Sequence, residues 1–125
     1  MRRLILAAAL LVAATAHAEL PSASDAVIRK ALASGKPTVI DLGARTCIPC
    51  RQMAPVLEQL FSEYRGKASV LFIDVHADQA AAERFRIQMI PTQIFFDAKG
   101  REVKRHVGAL EKADIVKELK AAGLR

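Results

Sequence analysis

Asp41-Leu42-Gly43-Ala44-Arg45-Thr46-Cys47-Ile48-Pro49-Cys50 joins the end of a short apolar strand to the start of a long helix, and it carries both cysteines of the 125-residue chain. Upstream, Thr38 to Leu42 is β-branched and apolar on both faces, the pattern of a central strand covered by helices on either side. An acid inside such a strand is costly unless paired or neutral, so Asp41 demands an explanation. Downstream, Met53, Val56, Leu57, Leu60, Phe61 and Tyr64 recur at helical spacing. They predict a helix from Cys47 to Tyr64 with these residues on its buried face, kinked at Pro55.

Working outward, Ser24 is placed to cap a helix whose stripe is Val27, Ile28, Ala31 and Leu32, stopped by Gly35 and Pro37. Beyond the long helix lie a buried strand (Ala68 to Val75), a short helix (Asp78 to Phe85) and a strand (Gln93 to Phe96). A turn at Asp97 to Gly100 then leads into a hairpin strand (Glu102 to Val107), and a last helix runs from Glu111 to Ala122. Strand–helix–strand spacing predicts a right-handed parallel βαβ unit. The expectation is an α/β three-layer sandwich. Its mixed four-stranded sheet is parallel in the first half and closed by a hairpin, with helices on both faces. The lead Leu20 to Ala23 leaves room for no more than a short fifth strand.

The length suits one domain, and 52 % hydrophobic with 26 % charged residues is ordinary globular composition. The first eighteen residues read as an address. Arg2 and Arg3 form a basic start, Leu4 to Thr15 an apolar run, and Ala16-His17-Ala18 a cleavage site. The run falls short of the roughly 20 residues that span a bilayer, so cleavage is favoured over a retained anchor. Residues 1–18 are therefore expected to be a cleavable Sec-type signal peptide, 19–125 the folded domain, and the periplasm its destination. Losing Arg2 and Arg3 lowers the net charge from +6 to +4. The remaining charges are scattered, without a basic run and interleaved aromatics, which argues against nucleic acid as a partner.

Two cysteines three positions apart are a poor structural staple, because bridging them closes almost no loop. They suit chemistry. A thiolate is the nucleophile in disulfide exchange, and Cys47, at the first residue of a helix, faces free N–H groups that stabilise negative charge. Arg45 could add to this if its side chain turned toward the sulfur. Cys50, one turn on, is expected to be more buried and placed to resolve a mixed disulfide. Pro49 stiffens the helix start without losing a needed donor. Two sulfurs cannot complete a four-ligand zinc site, and His76 and His106 show no ligand spacing, so neither metal nor cofactor is called for. A Cu(I) ion held by the two sulfurs is the least implausible metal alternative.

Ile40-Asp41-Leu42, Cys47-Ile48-Pro49-Cys50, Ile90-Pro91-Thr92 and Val107-Gly108-Ala109-Leu110, in this order, resemble the thioredoxin family over nearly all of residues 19–125. The resemblance implies that Cys47 attacks, Cys50 resolves, and Asp41 is the buried acid relaying a proton for the resolving thiol. Pro91 resembles the family's cis-proline beside the cysteines, and Ile90 before it would offer backbone to an extended substrate. Gly108 resembles a glycine that keeps the docking surface flat, and Ile48 and Pro49 would join that surface.

Departures accompany these matches. Gly43 and Thr46 stand where tryptophans are common, Ile48 replaces a usual glycine, and the chain has no Trp. Val70 is taken to occupy the position of a lysine that often accompanies the acid. The function implied is a monomeric periplasmic reductant of protein disulfides, supplied with electrons by a membrane thiol-transfer protein. A disulfide oxidase or isomerase on the same fold is the alternative, ahead of a non-catalytic copper-binding or adaptor module.

Overall fold

The structure, a computed structural model, describes residues 19–125; the expected signal peptide lies outside the described residues. In chain order the elements are α1 (Asp25–Leu32), β1 (Thr38–Gly43), α2 (Ile48–Glu63), β2 (Ser69–Asp74), α3 (Gln79–Arg84), β3 (Thr92–Phe96), β4 (Glu102–Val107) and α4 (Lys112–Ala121). One four-stranded sheet has the order β2-β1-β3-β4. β1 runs parallel to β2 on one side and antiparallel to β3 on the other, and β3 pairs antiparallel with β4. This is the mixed α/β sheet that the element order predicts. The parallel βαβ unit is β1–α2–β2; the short α3 hands the chain to a strand running the opposite way. The fifth strand shrinks to a single bridge between Ser22 and Phe72, with the Ala23 N–H donating to the Phe72 carbonyl at 2.7 Å.

Alternation along β1 sorts the core into two layers. Val39 packs with Met53, Leu57 and Leu60 of α2 and Ile115 and Leu119 of α4. Ile40 and Leu42 pack on the other side with Ile28 of α1 and Ala81 of α3. A period of two therefore sends Asp41 to the α2 side of the sheet.

The helix starts follow local chemistry. Ser24 Oγ accepts from the Val27 N–H at 3.3 Å, capping α1. α2 begins one residue later than expected, because Cys47 is its extended N-cap and its sulfur does the capping. α2 continues as one helix through Pro55. Two residues assigned to buried faces are exposed, Val27 and Phe61. Both sit on the flanks of narrower stripes, and the Arg65 guanidinium covers the Phe61 ring at 5.4 Å.

Candidate active site

From β1 the chain leads to β2 on one side and then returns as β3 on the other, and open α/β sheets form ligand crevices outside the carboxyl ends of strands where the strand order reverses in this way. Residues 44–46 lead from that end into the cysteines. Because Leu42 pairs with Thr92, the segment Ile90–Pro91 arrives at the same end of the sheet. Pro91, distant in sequence, is thereby brought to the edge from which the cysteine loop departs.

Cys47 and Cys50 are joined in a disulfide, with Cα atoms 5.1 Å apart. Cys47 is half-buried, whereas Cys50 is 4 % exposed. The Cys50 N–H donates to Cys47 Sγ at 3.3 Å. That donor belongs to the first helical turn, whose N–H groups lack intrahelical partners, so it remains for a thiolate at the same place. Ile48, between them, is 73 % exposed, and Pro49 is exposed as well.

Asp41 is fully buried. Its Oδ1 accepts a hydrogen bond from Gln93 Nε2 at 2.9 Å, while Oδ2 has no hydrogen-bond partner among the described residues. Burial pushes its pKa up to about 6, against the opposing pull of the Gln93 hydrogen bond. Gly43 keeps the acid and the sulfur mutually open. A Cβ there would lie 3.2 Å from Cys50 Sγ and 3.6 Å from Asp41 Oδ2. Any larger residue would press between the two groups. Gln93 lies directly opposite Asp41 in the β1–β3 register, a partnership across 52 residues that sequence reading missed. The only signal was a polar side chain beside the apolar run Ile94-Phe95-Phe96.

The Ile90–Pro91 peptide bond is cis. Pro91 is buried and its carbonyl accepts from the Gly108 N–H at 2.8 Å, while Thr92 Oγ1 donates to the Met89 carbonyl at 2.6 Å. Ile90 is half-buried, and Met89 beside it is 66 % exposed. Gly108 has φ +105°, and a Cβ there would meet only His106 Nε2 at 3.8 Å. Backbone conformation, not lack of room, requires glycine at this position. Gly108→Ala is accordingly expected to destabilise the protein by about 1–3 kcal/mol despite the open space. The shift in urea midpoint measures this, and a neutral effect would contradict it.

Two expectations about neighbouring residues are corrected by the structure. Val70 pairs with Val39, and it is Phe72 that lies opposite Asp41, so the position beside the acid is aromatic. The offset was invisible without knowing which residues of β1 and β2 stand side by side. Arg45 does not turn toward Cys47. Its Nη1 donates to Glu19 Oε2 at 2.7 Å and its Nη2 to the Leu20 carbonyl at 2.8 Å. His76 is exposed in the turn after β2, and His106 is half-buried on β4 opposite Gln93.

This arrangement has relatives. Residues 20–121 match the family model described as Thioredoxin. The chain is 42 % identical over 93 residues to a thioredoxin of Mycolicibacterium smegmatis, covering 73 % of this chain and 82 % of that protein. It is 42 % identical over 88 residues, 70 % of this chain, to the bifunctional thioredoxin reductase/thioredoxin of Mycobacterium leprae, of which the match spans 19 %. A solved structure of a mutant thioredoxin from Halobacterium salinarum NRC-1 superposes with a TM-score of 0.72 at 25 % identity, covering 82 % of this chain and 88 % of that one. With a family match over nearly all the described residues and the cysteine pair at the start of α2, the chain belongs to the thioredoxin family and is a thiol–disulfide oxidoreductase.

Proposed function

We propose that this oxidoreductase is a periplasmic protein-disulfide reductant acting as a monomer. The observation that carries the reading is the asymmetry of the pair: Cys47 is partly open to solvent over a helix N-terminus, and Cys50 is buried beside a buried acid. In the reduced protein the Cys47 thiolate attacks one sulfur of a substrate disulfide, forming a mixed disulfide and releasing one substrate thiolate. Cys50 gives its proton toward the Asp41 carboxylate and attacks Cys47 Sγ. The second substrate sulfur leaves, and the Cys47–Cys50 disulfide forms. Two electrons have passed to the substrate. A dithiol on a membrane thiol-transfer protein returns two electrons and two protons.

An acid with a pKa of about 6 is largely ionised near neutral pH yet readily reprotonated, which matches this exchange. Exposed Ile48, Met89 and Val107 give the rim an apolar character that fits an extended, unfolded substrate segment docking along Ile90 and Gly108. Fusion of a relative's thioredoxin to thioredoxin reductase supports electron flow into the pair and onward to substrate.

Titrating the couple against glutathione tests the direction. A potential near about −270 mV is expected, and one near about −120 mV overturns the reductant reading in favour of an oxidase. The address is tested by osmotic shock of expressing cells. Release of a chain beginning at Glu19 is expected, and a cytosolic chain still bearing Met1 overturns it.

A further inference from the structure

Arg45 is the residue whose contacts the thiol chemistry leaves unexplained. It stands two positions before Cys47, yet its guanidinium is turned away and held at three points. Glu19 accepts from Nη1, the Leu20 carbonyl accepts from Nη2, and the Phe72 ring lies beneath at 4.9 Å. A planar fork satisfied at both ends and stacked on an aromatic face is a fixed object, not a loose surface arginine.

Its location gives that fixation a purpose. Arg45, Leu20 and Phe72 wall a small cavity whose inner surface includes Asp41 and Cys50. About 20 Å³ of it is open to the centres of water molecules. One water needs roughly 10–15 Å³, so there is room for a single molecule and no file of them. The unpartnered, buried Oδ2 belongs to this Asp41.

Among the described residues, the ionisable groups around the cavity are few. Glu19 comes from the N-terminal segment, Arg45 from the loop after β1, and Arg51 and Cys50 from α2. From the neighbouring strands Asp41 meets Phe72 and Gln93, neither of them ionisable. Glu19 neutralises Arg45, and both side chains are substantially exposed, so the charge is screened before it reaches the acid. Burial dominates the environment of Asp41, opposed only by Gln93.

We propose that Arg45, clamped by Glu19 and Leu20 over Phe72, is a positioning residue that closes the Asp41–Cys50 cavity to bulk water and thereby limits the water that reaches the acid. It acts by exclusion, through the geometry of its fork, and the aromatic ring opposite Asp41 is the surface it closes against. The consequence for turnover rests on the relay role given to Asp41 above; the sealing itself does not.

Carbon-13 NMR of the Asp41 carboxyl, followed through a pH titration of the oxidised protein, tests this directly. The parent should titrate near 6. Arg45→Ala opens the wall, and its midpoint is expected to fall by about one pH unit or more toward the ordinary carboxyl value of about 3.9. Arg45→Lys keeps the charge without the fork and is expected to fall in the same direction; it also serves if the alanine variant does not fold. An unmoved midpoint in the variants overturns the proposal. So does a rise in Arg45→Ala, which would mean that the arginine acts through its charge. The readout is the acid's own titration, so it stands whether the pair reduces or oxidises its substrates.

Discussion

Cys47→Ser is expected to abolish insulin reduction, a loss of about 10³-fold or more, while Cys50→Ser stops the reaction one step later. The hydroxyl is a far weaker nucleophile than a thiolate at neutral pH, and the helix N-terminus that stabilises a sulfur anion cannot ionise serine usefully. Losses of that size are typical when one member of a catalytic unit is removed. Cys50 is 4 % exposed, so a large substrate disulfide reaches only Cys47. In Cys50→Ser the first attack proceeds and nothing resolves it, leaving a stoichiometric mixed disulfide at Cys47 that mass spectrometry of the intact complex detects. Accumulation in Cys47→Ser, with none in Cys50→Ser, would reverse the two roles. Stability is a poor readout here, because the bridge spans three positions and constrains the unfolded chain little.

Asp41→Asn separates stability from function. At pH 8 the oxidised variant is expected to be more stable than the parent by up to about 3 kcal/mol, the value of a shift of this size. The sign follows from the direction of the shift. Burial raises the folded pKa from 3.8 to about 6, so the native state binds its proton more tightly than the unfolded chain. The parent's stability therefore falls as pH rises from about 3.8 to about 6, and the full cost is present above that window. Asparagine never ionises, so its advantage should be large at pH 8 and gone near pH 3.5, where both states of the parent are protonated. Urea midpoints at the two pH values measure this. An equal gain at both would assign the effect to packing. Activity should fall in the same variant, since the resolving thiol loses its proton acceptor.

The acid could be singled out from sequence because an Asp between Ile40 and Leu42 violates the strand's own pattern. Its surroundings could not. Gln93, the donor to Oδ1, is identifiable only once β1 and β3 are paired. The identity of the β2 residue beside the acid turned on a two-residue difference in register, which moved that place from Val70 to Phe72. Arg45 was close enough in sequence to Cys47 to suggest electrostatic help. A partner 26 residues earlier and an aromatic ring on β2 drew it elsewhere. Val27 and Phe61 had the right periodicity for a core face. The periodicity marked which side of the helix was apolar, but both residues lie at the flanks of their stripes and stay exposed.

Local pattern by itself determined the elements and the chemistry. The doubly apolar run of β1, the helical spacing from Met53 to Leu60 and the two thiols at a helix start are all properties of residues within a few turns of one another. Secondary-structure periodicity and the helix dipole act over that range. Tertiary structure decided the direction of β3, the company of Asp41, the hydrogen bond from Gly108 to the Pro91 carbonyl and the turn of Arg45 onto Phe72. These depend on strand register, which is set by burying alternate side chains of each strand in two separate layers. That is a condition on the whole sheet, and no single stretch of the chain carries it.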